Sequence, residues 1–132
     1  MIDKDTVMRV ARPTDNLADI TNMYCEGLGF ELLGTFSGHN DFDGAIIGHP
    51  HHNYHLEFTH HRGTHVGLAP SQENLLVFYL PDQSAWQAAC AQIEAAGFKQ
   101  VPSYNSYWDK DGRTFEDLDG YRVVLQNREW AW

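Results

Sequence analysis

The chain has 132 residues and a formal net charge of -9, from 9 Lys and Arg against 18 Asp and Glu. That length suits one domain, or two small halves sharing a core. The acidic balance argues against nucleic acid and anionic membrane surfaces as partners, and no apolar run approaches the roughly 18 residues needed to cross a bilayer. The opening MIDKDTVMRV lacks the apolar core of a signal peptide, so the cytoplasm is the expected compartment. Cys25 and Cys90 are not in CxxC spacing and read as free thiols.

In chain order, Met8–Pro13 reads as a short strand. Thr14, Asp15 or Asn16 can cap the helix that follows, whose apolar side chains recur at Leu17, Ile20, Tyr24 and Leu28, the three-four spacing of one helical face. Gly27 and Gly29 end it. Phe30–Phe36 is the next strand, Asp43-Gly44 a turn leading into Ala45–Gly48, and Tyr54–His61 a further strand. Residues 62–73 carry Gly, Pro and Ser and read as a linker. Then the order repeats: strand Asn74–Leu80, a helix capped by Asp82 with its stripe at Trp86, Cys90 and Ile93, strand Lys99–Tyr104, and strands Gly112–Asp117 and Tyr121–Asn127 about an Asp119-Gly120 turn.

LGFELLGTF (28–36) also lines up with AGFKQVPSY (96–104). Each half is therefore strand-helix-strand-strand-strand, spanning about 7–61 and 74–127. Neither half alone buries enough apolar surface, so the two must share an interface.

DNLADITNMYCEGLGFELLG, YHLEF and FEDLDGYRVVLQ, in this order and spacing, resemble the vicinal oxygen chelate superfamily of glyoxalase I, bleomycin-resistance proteins and extradiol dioxygenases. The resemblance implies an α+β fold of two tandem βαβββ modules, whose mixed sheets form a cup. Metal-dependent members of the family place one ligand on each of four strands, usually His, Glu, His and Glu. Here those positions fall on Arg9, on Glu57, on one of Asn74, Leu75 or Leu76, and on Val124. Arginine does not ligate metals in ordinary sites, and leucine and valine have no donor, so the usual cage is broken and no metal or other cofactor is expected.

Seven of the eight histidines lie in GHPHHNYHLEFTHHRGTH (48–65). Side chains alternate along a strand, so if Glu57 faces the cup, His55, Thr59 and His61 do too. A divalent metal would then need His55 and Glu57 with His39 or His61 as a third ligand. Without a metal, Arg9 either grips a carboxylate or phosphate or pairs with Glu57, and Glu57 is the candidate general base. Alternation sends Arg12 to the helix-packed side, to satisfy helix ends or carbonyls. Arg122 and Gln126 flank Val124 on the cup face. Tyr107 and Trp108 lie in a loop suited to stacking on a flat ligand, and Trp130 and Trp132 to packing on a partner subunit.

The expected function is metal-free binding of a small organic molecule in the cup, as in resistance by sequestration, with Arg9, His55, Glu57, Tyr107, Trp108, Arg122 and Gln126 as ligand-binding candidates. The alternatives are a glyoxalase- or dioxygenase-type metalloenzyme built on His55 and Glu57, and a metal-independent isomerase or lyase using Glu57. Two-module chains of this family often dimerise, which makes a homodimer the expected assembly.

Overall fold

A computed structural model describes residues 1–131. The elements are β1 (Met8–Pro13), α1 (Leu17–Leu28), β2 (Glu31–His39), β3 (Phe42–Gly48), β4 (Tyr54–His61), β5 (Leu75–Tyr79), α2 (Gln83–Ala95), β6 (Lys99–Val101), β7 (Gly112–Glu116) and β8 (Arg122–Gln126). A short 3-10 turn covers Ser106–Asp109. They form two four-stranded sheets, ordered β1-β4-β3-β2 and β5-β8-β7-β6. In each, the first strand runs parallel to the fourth and the other pairs are antiparallel. This is the tandem βαβββ arrangement, and Trp132 lies outside the described residues.

One core joins the halves. α1 packs on β3 and β4, α2 on β7 and β8, and the two helices pack on each other. Ile20 and Tyr24 of α1, Cys90 and Ile93 of α2, Ile47, Leu56 and Phe58 of the first sheet, and Phe115, Val123 and Leu125 of the second are buried together. Strand alternation therefore assigns Leu56 and Phe58 to the helix side and His55 and Glu57 to the outer side. Cys25 and Cys90 are free thiols.

A buried ionic cluster ties the modules at one end. Arg12 donates to Asp117 and Asp119, each at 2.9 Å, and its guanidinium lies between the rings of Phe58 (4.6 Å) and Tyr121 (4.1 Å). The Tyr24 hydroxyl donates to Asp117 at 2.6 Å, Thr14 Oγ1 to Asp119 at 2.6 Å, and the Asn16 amide to Asp119 at 2.9 Å. Burial raises the Tyr24 hydroxyl well above its ordinary value, and the Asp117 charge adds to that. Arg12 thus reaches the second module's carboxylates rather than helix ends, although one bond does go to the Pro13 carbonyl at 3.2 Å.

Several local expectations change, and β6 ends at Val101 rather than at Tyr104. Asp43-Gly44 lies inside β3, and the chain turns at Asn40 and Asp41, both at positive φ. Asn16 occupies the N-cap of α1 but makes no side-chain cap bond, because its amide is held by Asp119; Thr14 Oγ1 accepts from the Asn16 N–H instead. Asp82 caps α2 as expected, accepting from Ala85 N–H at 2.8 Å.

Candidate functional site

On the outer side of the first sheet, β1 and β4 bring three polar side chains together. The parallel register sets Arg9 beside His55 and Ala11 beside Glu57. Arg9 Nε donates to His55 Nε2 at 2.8 Å, and Arg9 Nη1 donates to Glu57 Oε2 at 3.2 Å. The Arg9 side chain is 45% exposed and that of Glu57 15%. Arg9 Nη2 makes no hydrogen bond to the described residues, so one edge of the guanidinium is open.

This arrangement is unfavourable for a metal. His55 Nε2 gives its lone pair to Arg9, which fixes the ring proton on Nδ1. A fixed cation sits between the two would-be ligands, and a divalent ion there would meet it at close range. Among the described residues no three His, Cys, Asp or Glu side chains converge as a metal cage. The third ligand expected from His39 or His61 is not supplied: His61 stacks on Phe42 at 4.4 Å, and His39 ends β2 beside the 40–41 turn. The residues present do not fit the family's metal.

The histidine-rich stretch divides among separate tasks. His60 Nδ1 lies 3.0 Å from the Thr14 carbonyl, and His65 meets Asp15 at 3.0 Å. The His49 ring packs edge-on against His52 at 4.8 Å and against Phe30 at 5.4 Å, while His51 is exposed in the connecting turn.

In the second sheet β5 pairs with β8 so that Leu75 lies beside Arg122 and Val77 beside Val124. The same step that separates Arg9 from Glu57's partner Ala11 separates Leu75 from Val77. Of Asn74, Leu75 and Leu76, the position equivalent to Arg9 is therefore Leu75.

Arg122 and Gln126 take the expected face of β8 but are buried there rather than exposed, with Arg122 also bordering the cleft between β1 and β5. Both are buried on the outer side of β8, beneath the segment 102–111. Arg122 donates to Glu116 at 3.0 Å and to the Pro102 carbonyl at 3.2 Å, and Gln126 Nε2 donates to the Trp108 carbonyl at 3.0 Å. Ser103 and Thr114 hydroxyls bond beside them. Gly112 makes room for this, since a Cβ there would fall on the Gln126 amide. Tyr107 is half-exposed, with Trp108 edge-on at 5.1 Å, so the aromatic pair lies on the surface of the cover.

The structure thus groups Arg9, His55 and Glu57, groups Arg122, Gln126, Tyr107 and Trp108 separately, and leaves His39 and His61 outside both. Sequence reasoning missed the Arg9–His55 bond and the roles of Asp117 and Asp119. The Arg9–His55 contact was accessible from parity plus the parallel register; Asp117 stood out only as a strand end and Asp119 only as a turn residue.

Comparison with known proteins places the chain. The YycE-like N-terminal domain family matches residues 8–59, and the YycE-like C-terminal domain family matches residues 73–127. YycE of Bacillus subtilis, a protein of unknown function, is 42% identical over 120 residues, covering 91% of this chain and 86% of that protein. Its crystal structure superposes with a TM-score of 0.88 at 40% identity, covering 97% of this chain and 93% of that one. The fosfomycin resistance protein FosX of Mesorhizobium loti shares the fold, with a TM-score of 0.72 at 12% identity over 96% of this chain and 93% of that one. So does TnmS3, an antibiotic-binding protein of Streptomyces sp. CB03234, with a TM-score of 0.62 at 22% identity over 91% of this chain and 93% of that one. With both domain families matched in order and a relative this similar along nearly its whole length, the chain belongs to the YycE-like family, and its fold is the tandem βαβββ fold of the vicinal oxygen chelate proteins.

Proposed function

We propose that the protein binds a small organic molecule without a metal, on the outer face of the first sheet, and protects by sequestering it. The observation that carries this reading is the Arg9 guanidinium held by His55 and Glu57. It places a fixed cation with an open donor edge where metal-dependent relatives use a metal donor. A ligand carbonyl or anionic oxygen would accept from the open Nη2, and the neighbouring Ile46, which lies beside Glu57 in the β3–β4 register, would meet its apolar part. Pre-holding by two partners lowers the entropy that Arg9 would otherwise lose on binding.

FosX and TnmS3 support the reading only as fold relatives whose names concern antibiotics. Free thiols at Cys25 and Cys90 suit a reducing, cytoplasmic setting. The assembly we propose is a homodimer, in which a second copy covers exposed apolar side chains such as Leu32, Phe42 and Tyr104. Sedimentation of the full chain tests the assembly.

Calorimetric titration with a panel of antibiotics and small carboxylates tests the function. Saturable binding that Arg9→Met weakens about tenfold, the loss of one charge-assisted hydrogen bond, is expected. Binding that Arg9→Met leaves unchanged would contradict it.

A further inference from the structure

The outer face of the first sheet divides along its strands. β1 and β4 supply a polar half, with Arg9, His55, Glu57 and, by the same parity, Thr59. β3 and β2 supply an apolar half. The register sets Ile46 beside Glu57 and Gly44 beside Thr59, which gives both the outward parity. A Cβ on Gly48, the partner of His55, would meet the His55 Cβ at 3.0 Å and Leu33 Cδ1 at 3.6 Å, so Leu33 lies on this face next to His55. Gly44 pairs with Phe36 on its other side, and the far end of the Phe36 ring lies where a Gly44 Cβ would be. The ring therefore reaches across the β3 backbone on the outer face. It is half-buried there, and no ring contact joins it to another described aromatic.

The polar half holds an open donor beside an open acceptor. Arg9 Nη1 donates to Glu57 Oε2 at 3.2 Å, which leaves Arg9 Nη2 and Glu57 Oε1 without partners among the described residues. No buried side-chain polar atom of those residues lacks a partner, so Glu57 Oε1 meets solvent. A planar group that accepts at one atom and donates at the next fits this pair, as an amide does. A charged group gains little. Arg9 and Glu57 neutralise each other, a carboxylate would meet the Glu57 charge, and the net charge of -9 opposes anions at long range.

We propose that the ligand of this face is an uncharged, flat, two-ring aromatic compound carrying an amide or an equivalent donor–acceptor pair, and that Phe36 selects for its aromaticity. The proposal rests on the reading that Arg9 binds a ligand. The amide oxygen accepts from Arg9 Nη2 and the amide N–H donates to Glu57 Oε1. The rings lie over Ile46 and meet Phe36, with Leu33 at their flank. Gly44 stands one strand spacing and one two-residue step from Glu57, a diagonal of about 8 Å. Two fused rings reach across that distance, where a single ring falls short. Aromatic pairs gain beyond the area they bury, so Phe36 distinguishes an aromatic ligand from a saturated one of the same outline.

The experiment is an NMR titration of the full chain with a naphthalene carboxamide, its fully saturated counterpart, its N,N-dimethyl amide and the naphthalene carboxylate. Saturable shifts at Phe36, Gly44, Ile46 and Glu57 are expected with the carboxamide, together with upfield ring-current shifts of its own protons. Each analogue should bind about tenfold more weakly, having lost the aromatic contact, the donor or the neutrality. Phe36→Leu should weaken the carboxamide about tenfold and reduce its ring-current shifts, while leaving the saturated counterpart unchanged. If Phe36→Leu disturbs the fold, nuclear Overhauser contacts between the naphthyl protons and Phe36 of the unsubstituted protein carry the test. The proposal is overturned by absence of saturable shifts, by equal binding of the carboxamide and its saturated counterpart, by a folded Phe36→Leu that binds as well, or by absence of those contacts. If the carboxamide fails while another compound binds in an Arg9-dependent way, this proposal falls and the reading of Arg9 stands; if nothing binds through Arg9, both fall.

Discussion

Arg12 and Asp117 stand 105 positions apart in the chain, yet their side chains meet at 2.9 Å. The Asp117 side chain is fully buried and that of Arg12 is 13% exposed. Removing one member of such a pair leaves an uncompensated buried charge. Arg12→Met should therefore destabilise the protein by about 3–5 kcal/mol. Urea unfolding measures it. A cycle with Asp117→Asn should show strong coupling, since the two side chains share one cluster.

Asp43 and Arg62 make an exposed pair, and the Arg62 guanidinium, aided by the Gly38 N–H, holds the Asp43 carboxyl at about 2. A depressed folded-state value means the stabilising contribution is present above the unfolded value near 3.8 and is lost as pH falls through about 2. Carbon-detected NMR titration should find the Asp43 midpoint near 2, and Arg62→Gln should move it up toward 3.8.

Gly112 sits where a Cβ would be 2.6 Å from the Leu125 carbonyl oxygen and on top of the Gln126 amide. Backbone must move to admit it, so Gly112→Ala should cost about 1–3 kcal/mol, as overpacking does. The change should also release the Gln126–Trp108 bond that holds the cover down. Thermal unfolding reads the first effect, and faster proteolysis within 102–111 reads the second.

Most strands and both helices were legible from periodicity, from the apolar run Asn74–Leu80, or from the match between LGFELLGTF and AGFKQVPSY. Parity put Arg9 and Glu57 on one face, and the fold pairs them. The β2–β3 turn was not legible, because Asp43-Gly44 carries the stronger turn signal. Gly44 instead serves packing: the Phe36 ring lies where its Cβ would be. Nor was the burial of Arg122 and Gln126 legible. It depends on residues 102–111 folding back over β8, and such a loop leaves no periodic trace in sequence. The cross-module bonds of Asp117 and Asp119 share that difficulty, since sequence separation hides them.

The claim at the centre of this account is that Arg9 has displaced metal from the position flanked by His55 and Glu57. Elemental analysis of tag-free protein, purified without chelator and compared with Glu57→Gln, tests it most directly. The account predicts no stoichiometric zinc, nickel, manganese or iron in either protein. A metal present at one equivalent and lost in Glu57→Gln would contradict it and make this face a metal centre.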